Sequence, residues 1–196
     1  MLDELSHAAI INGNKTGVYA IYGDGFQEEF GMRLALIDAN INYDYCTFYF
    51  SETKLFGTLT DFFTSLSKEK NKTDIKKYYP PILTHVENIN ASGRYIFSAL
   101  NLTTSRISSM QPKSIFIHLK EITPDKICEI REYSNFLKIT FIITNDLNGE
   151  KINSNNLMKP LELLDIVGYI TNPNSGKATF SILKNRFRKR ILPITQ

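Results

Sequence analysis

Val18-Tyr-Ala-Ile-Tyr-Gly-Asp-Gly-Phe-Gln-Glu-Glu-Phe30 holds the strongest clue to the architecture. Its opening run is rich in Val, Ile and Tyr and predicts a buried strand that ends at Gly23. A loop containing Gly25 follows. The segment 31–40, with Met32, Leu34, Ala35, Leu36 and Ala39 at helical spacing, then predicts a helix. Strand, glycine loop, helix is the order in which backbone N–H groups and a helix N-terminus cradle a nucleotide's phosphates. The working pattern is G-x-x-x-x-G-K-[ST]. Laid on Gly23, it puts Glu28 at the second glycine, Glu29 at the lysine and Phe30 at the hydroxyl residue. The scaffold of a phosphate cradle is written here without its chemistry.

Outward from this stretch, short apolar runs alternate with helical patterns. Residues 46–50, 114–119, 139–144 and 166–171 read as further buried strands. Helices are expected over 55–66 and 92–110. A third begins at Thr123-Pro124-Asp125 (hydroxyl cap, proline in the first turn, then an acid) and runs to about Leu137. The segment 82–89 has strand character. Asn172-Pro-Asn-Ser-Gly176 is a turn, so 177–183 should return as a hairpin strand. Residues 191–194 read as a final edge strand, where Pro193 needs no ladder partner. The lysine-rich 68–77 and asparagine-rich 145–159 read as solvated connections. Strands apolar throughout, separated by helices, predict an α/β fold. Its sheet is mostly parallel, covered on both faces, with an antiparallel end. Ligands in such folds gather at the carboxyl ends of the strands. Gly23–Phe30, Ser51-Glu52, His118–Lys120 and Asn145-Asp146 would meet there.

The 196 residues suffice for a single domain spanning 1–196. The net charge of +3 neither demands nor forbids a nucleic-acid partner, so its distribution matters more. Cys46 and Cys128 form no metal pattern, and no metal or other cofactor is expected. No apolar run approaches the roughly 20 residues of a membrane span. With no basic-then-apolar leader at the start, the expected setting is intracellular, cytoplasm or nucleus.

In their order, several of these pieces resemble the RecA superfamily core, in its RadA and DnaB-helicase branch. Leu2-Asp-Glu-Leu5, Asn12-Gly13 and Gly17-Val-Tyr-Ala-Ile-Tyr-Gly23 resemble that family's entry into its phosphate loop. Tyr49-Phe-Ser-Glu52 resembles the strand that ends near a catalytic glutamate. Ser114–Leu119 falls where the Walker B strand should be, and Thr140–Asn148 resembles the strand whose polar end senses the phosphate. Gly176-Lys-Ala-Thr-Phe-Ser-Ile-Leu-Lys-Asn-Arg186 resembles the terminal hairpin, whose Lys-x-Arg reaches a neighbour's nucleotide. The resemblance implies a RecA-like fold. The departures imply a degenerate ATPase: no Walker A lysine or hydroxyl, and His118 in place of the Walker B aspartate. Like charges about 4 Å apart repel by about 4 kcal/mol at an effective dielectric of about 20, so Glu28 and Glu29 would work against a triphosphate. Gly23, Gly25, Glu28, Glu29 and Phe30 therefore read as a nucleotide site in form and not in function, and no enzymatic activity is expected.

Each residue also has a plainer reading. Glu28 and Glu29 suit the first turn of a helix. His118 suits a satisfied strand end, and Asn145-Asp146 a turn. Glu52 as a general base has nothing to act on without a nucleotide. The basic tail is the other candidate. Lys184, Arg186, Arg188 and Arg190 would share one strand face, with Phe187 and Lys189 on the other. Such a stripe suits a phosphate backbone, an acidic partner protein, or an edge strand that repels aggregation. The expected role is a non-catalytic RecA-like paralogue in DNA recombination, repair or replication. It would assemble with a RecA-like or helicase partner, or with itself, and touch DNA through the stripe. Two alternatives stand beside it: an interaction module or inhibitor that binds no DNA, and a weak nucleotide-binding ATPase.

Overall fold

A computed structural model of the chain describes residues 16–25, 27–28, 30–32, 34–35, 48–52, 104–147, 160–171 and 179–187. Six strands form one sheet: β1 (Val18–Gly23), β2 (Phe48–Ser51), β3 (Ser114–His118), β4 (Thr140–Asp146), β5 (Ile166–Thr171) and β6 (Thr179–Asn185). Their order is β2-β3-β4-β1-β5-β6. Every pairing is parallel except β5 with β6, which is antiparallel. The α/β class, the mostly parallel sheet and the antiparallel end agree with the expectation. The segments 55–66, 68–77, 82–89 and 191–194, the turn 172–176, and most of 92–110 and 145–159 lie outside the described residues. So do Leu2–Leu5 and Asn12-Gly13.

Among the described residues, three helices longer than a single turn serve this sheet. The first, α1, is helical at every described position from 27 to 35. The second, α2, covers 104–110. The third, α3, is Pro124–Leu137, with Thr123 as its cap accepting from the Lys126 N–H at 3.4 Å. It stops at Lys138, whose φ of 58° is left-handed and whose N–H returns to the Ser134 carbonyl.

Both sheet faces are buried, which is why the strands are apolar without alternation. Val18, Ala20, Phe48, Phe50, Ile115, Ile117, Phe141, Ile143 and Val167 form one core with Ile107 of α2 and Ile127 and Ile130 of α3. The alternate positions turn the other way, toward α1. There the Tyr49 hydroxyl donates to the Glu28 carbonyl at 3.1 Å. Gly31 presses on Thr144, so closely that a Cβ at 31 would lie 2.7 Å from Thr144 Oγ1. The strand at the centre of the sheet, β1, thus has β4 and β5 beside it and helices above and below. Its carboxyl end is Gly23.

Candidate functional site

Gly23 ends β1 with its carbonyl accepting the Leu147 N–H at 2.9 Å. Gly25 takes φ 77°, a conformation closed to most L residues and open to glycine. Gln27 is already helical, four residues after Gly23. The sequence expectation starts this helix at Gly31. The earlier start has a cause outside the local sequence. The Gln27 N–H donates to Asp146 Oδ1 at 3.0 Å, so a carboxylate from the end of β4 caps the positive end of α1. Burial outweighs this hydrogen bond and holds the Asp146 carboxyl above its usual pKa.

The Gln27 side chain is fully buried and folds back over the end of β1. A Cβ on Gly23 would overlap its amide and come 2.7 Å from the Ile170 carbonyl oxygen. Neither polar atom of the amide has a hydrogen-bond partner. A buried group left that way costs about 1–3 kcal/mol. Glu28, at the position of the pattern's second glycine, is also buried; its carboxylate accepts the Ser51 hydroxyl at 2.5 Å. Phe30, at the hydroxyl position, is 4% exposed and belongs to the core. Glu29 lies outside the described residues. Asp24 accepts from the Tyr169 hydroxyl at 2.6 Å, and burial with that carboxylate pushes the phenol up to about 12.

The registers align Ser51, His118, Thr144 and Ile21 as one row across the carboxyl end of the sheet. His118 Nδ1 lies 3.1 Å from Thr144 Oγ1, and burial lowers the imidazole pKa to about 4. It is neutral near pH 7 and carries no charge toward a ligand. Glu52 is taken up as well. Lys126 Nζ meets its two oxygens at 2.8 and 3.0 Å, and the Lys120 N–H donates to Oε2 at 2.8 Å. The glutamate joins the end of β2 to the first turn of α3, where a paired carboxylate is a poor general base. Asn145 Nδ2 donates to the carbonyls of Leu119 and Lys120 and holds the exit of β3.

Of the tail cations, Lys184 and Arg186 stand at the opposite end of the sheet. Strand β6 ends at Asn185, so Arg186 and Phe187 lie in a turn and not on the strand face that the alternation predicts. Lys184 Nζ donates to the Leu161 and Glu162 carbonyls at 2.9 and 2.8 Å. Arg186 Nη1 reaches Asp165 Oδ1 at 2.9 Å. Asp165 is 2% exposed and gathers further partners. Its carboxylate accepts the Val18 N–H at 2.9 Å, and Arg131 Nη2 lies 3.3 Å from Oδ2. Arg131 also donates to the Leu163 carbonyl. This carboxylate ties the starts of β1 and β5 to α3 and to the end of β6. Sequence reasoning missed it, although a lone acid in Leu163-Leu-Asp-Ile-Val167 is a signal of a buried partner. Arg188, Lys189 and Arg190 lie outside the described residues.

The described members of the two groups of candidate residues are therefore not brought together. The first surrounds the end of β1 and is filled by protein atoms; the second begins at the amino ends of β1 and β5. Among the described residues, no group of three His, Cys, Asp or Glu is placed to hold a metal ion, and no helix is long and apolar enough to cross a membrane. The chain matches no protein-family model and no curated protein sequence.

Proposed function

We propose that this chain is a catalytically silent RecA-like subunit. It acts by assembling with a partner ATPase or with its own copies, and it touches DNA through the basic stretch that follows β6. One observation carries the reading: at the end of β1, where a phosphate cradle would lie, the Gln27 side chain covers Gly23 and the Asp146 carboxylate caps the helix. The sheet order supports it too. The loop strand is central, the strand with the polar Asn145-Asp146 end is its neighbour, and the strand at the Walker B position is the next one out. Glu52 and His118, which would serve a nucleotide, are engaged by Lys126 and Thr144.

Lys184 and Arg186 are held by carbonyls and by Asp165, so the DNA contact is assigned to Arg188, Lys189 and Arg190. The test has two arms. The purified chain should bind no ATP analogue; saturable binding overturns the silent-subunit reading. Its affinity for DNA should fall with salt, with the log–log slope losing about 1 for each phosphate contact removed. Substituting Arg188, Lys189 and Arg190 together by alanine should flatten that slope. Absence of DNA binding, with a stable complex to one protein, makes the chain an interaction module instead.

A further inference from the structure

At the start of α1, two independent features occupy the same small volume. The Asp146 carboxylate accepts the Gln27 N–H, in the first described turn of the helix, at 3.0 Å. The Gln27 amide is 0% exposed, lies against Gly23 and has no partner for either polar atom. A helix N-terminus draws an anion. A buried amide with nothing to bond is the kind of group a ligand or a rearrangement would satisfy. The same helix runs close over the sheet, since a Cβ at Gly31 would lie 2.7 Å from Thr144 Oγ1.

We propose that Asp146 and Gln27 form a built-in latch over an anion site, with the Asp146 carboxylate as its intramolecular occupant and Gln27 as its cover. The closed form gives the start of α1 an acceptor without any bound phosphate. A subunit built this way presents a constant surface to its neighbours, whatever nucleotide they hold. The inference rests on the silent-subunit reading but fails separately from it. If the unmodified chain binds an ATP analogue, that reading falls. If neither the unmodified chain nor an unlatched variant binds an anion, only the latch falls.

The test is pyrophosphate binding to the full chain, followed by calorimetry and thermal shift against chloride at matched ionic strength. The unmodified chain should show no saturable binding. The double variant Gln27→Ala with Asp146→Ala removes cover and occupant together. It should gain affinity by roughly tenfold or more, the size expected when a helix N-terminus exchanges an internal anion for an external one. Asp146→Asn with Gln27→Ala keeps a cap acceptor, protects the fold and decides the question if the alanine pair unfolds. A folded variant of either kind with no gain in pyrophosphate affinity overturns the latch. So does an unmodified chain that binds pyrophosphate as tightly as the variants.

Discussion

His118 should make this protein acid-labile, and the size of the effect follows from its burial. The imidazole is 2% exposed, faces Thr144, and has its pKa lowered to about 4 by desolvation. A group whose folded pKa is depressed contributes stability that is fully present above its unfolded pKa. That contribution disappears as pH falls through the folded value. For a histidine the window runs from about pH 6.5 down to about 4, and the full span is worth about 3 kcal/mol. Between pH 7.5 and 5 the loss is about 2 kcal/mol, because the unfolded chain takes up a proton that the folded chain refuses. Urea denaturation at each pH reads this directly. With a slope of about 2 kcal/mol per molar for a chain this size, the midpoint should fall by about 1 M. His118→Gln keeps a hydrogen-bonding side chain beside Thr144 and removes the titration. Asp146 and Glu129, whose carboxyls sit above their usual pKa, gain relative stability in acid and oppose the trend. They do so equally in both proteins, so the difference between the two curves isolates His118. Parallel loss of stability in the unmodified chain and His118→Gln would refute the argument.

Three further substitutions probe the frame. Asp165→Asn removes the charge from a site 2% exposed, while Arg131 and Arg186, 29% and 64% exposed, keep access to water; weakening these charge-assisted hydrogen bonds should cost about 1.5–3 kcal/mol, visible in the urea midpoint. Arg186→Ala should cost less, about 1 kcal/mol or below, because its side chain is 64% exposed and Arg131 remains. Thr123→Ala removes the cap of α3 and should cost about 1 kcal/mol, with earlier amide exchange in the first turn of that helix.

How far the sequence carries depends on whether the deciding partner is near or far along the chain. The cores of β1, β3, β4 and β5 are legible because both sheet faces are covered, so apolar runs need no alternation to be recognised. The start of helix α3 is legible, since Thr123, Pro124 and Asp125 carry its signal within three adjacent positions. The start of α1 is not, since its cap comes from Asp146, 119 residues on. Gly31 reads as a helix opener and is instead a point of close approach to Thr144. Glu52 shows the same limit: Lys126, which engages it, is 74 residues away. The tail is the hardest case. Alternation alone puts Lys184 and Arg186 on one open face, and nothing local reveals the carbonyls of 161–162 or the buried Asp165 that engage them.

The placement of β1 has a consequence for how the chain is made. Its sheet neighbours are β4 and β5, paired from Val18↔Phe141 and Tyr19↔Ile166 onward, and the Val18 amide waits for Asp165, 147 residues later. At ribosomal speeds of about 5–20 residues per second, the central strand exists for roughly 6–25 s before its first partner strand has been synthesised. During that interval an apolar six-residue edge is open on both sides. Among the described strands, the central one is thus the earliest made and the one that waits longest for a partner. Whatever shelters nascent chains in the cell has this strand to protect until β4 emerges.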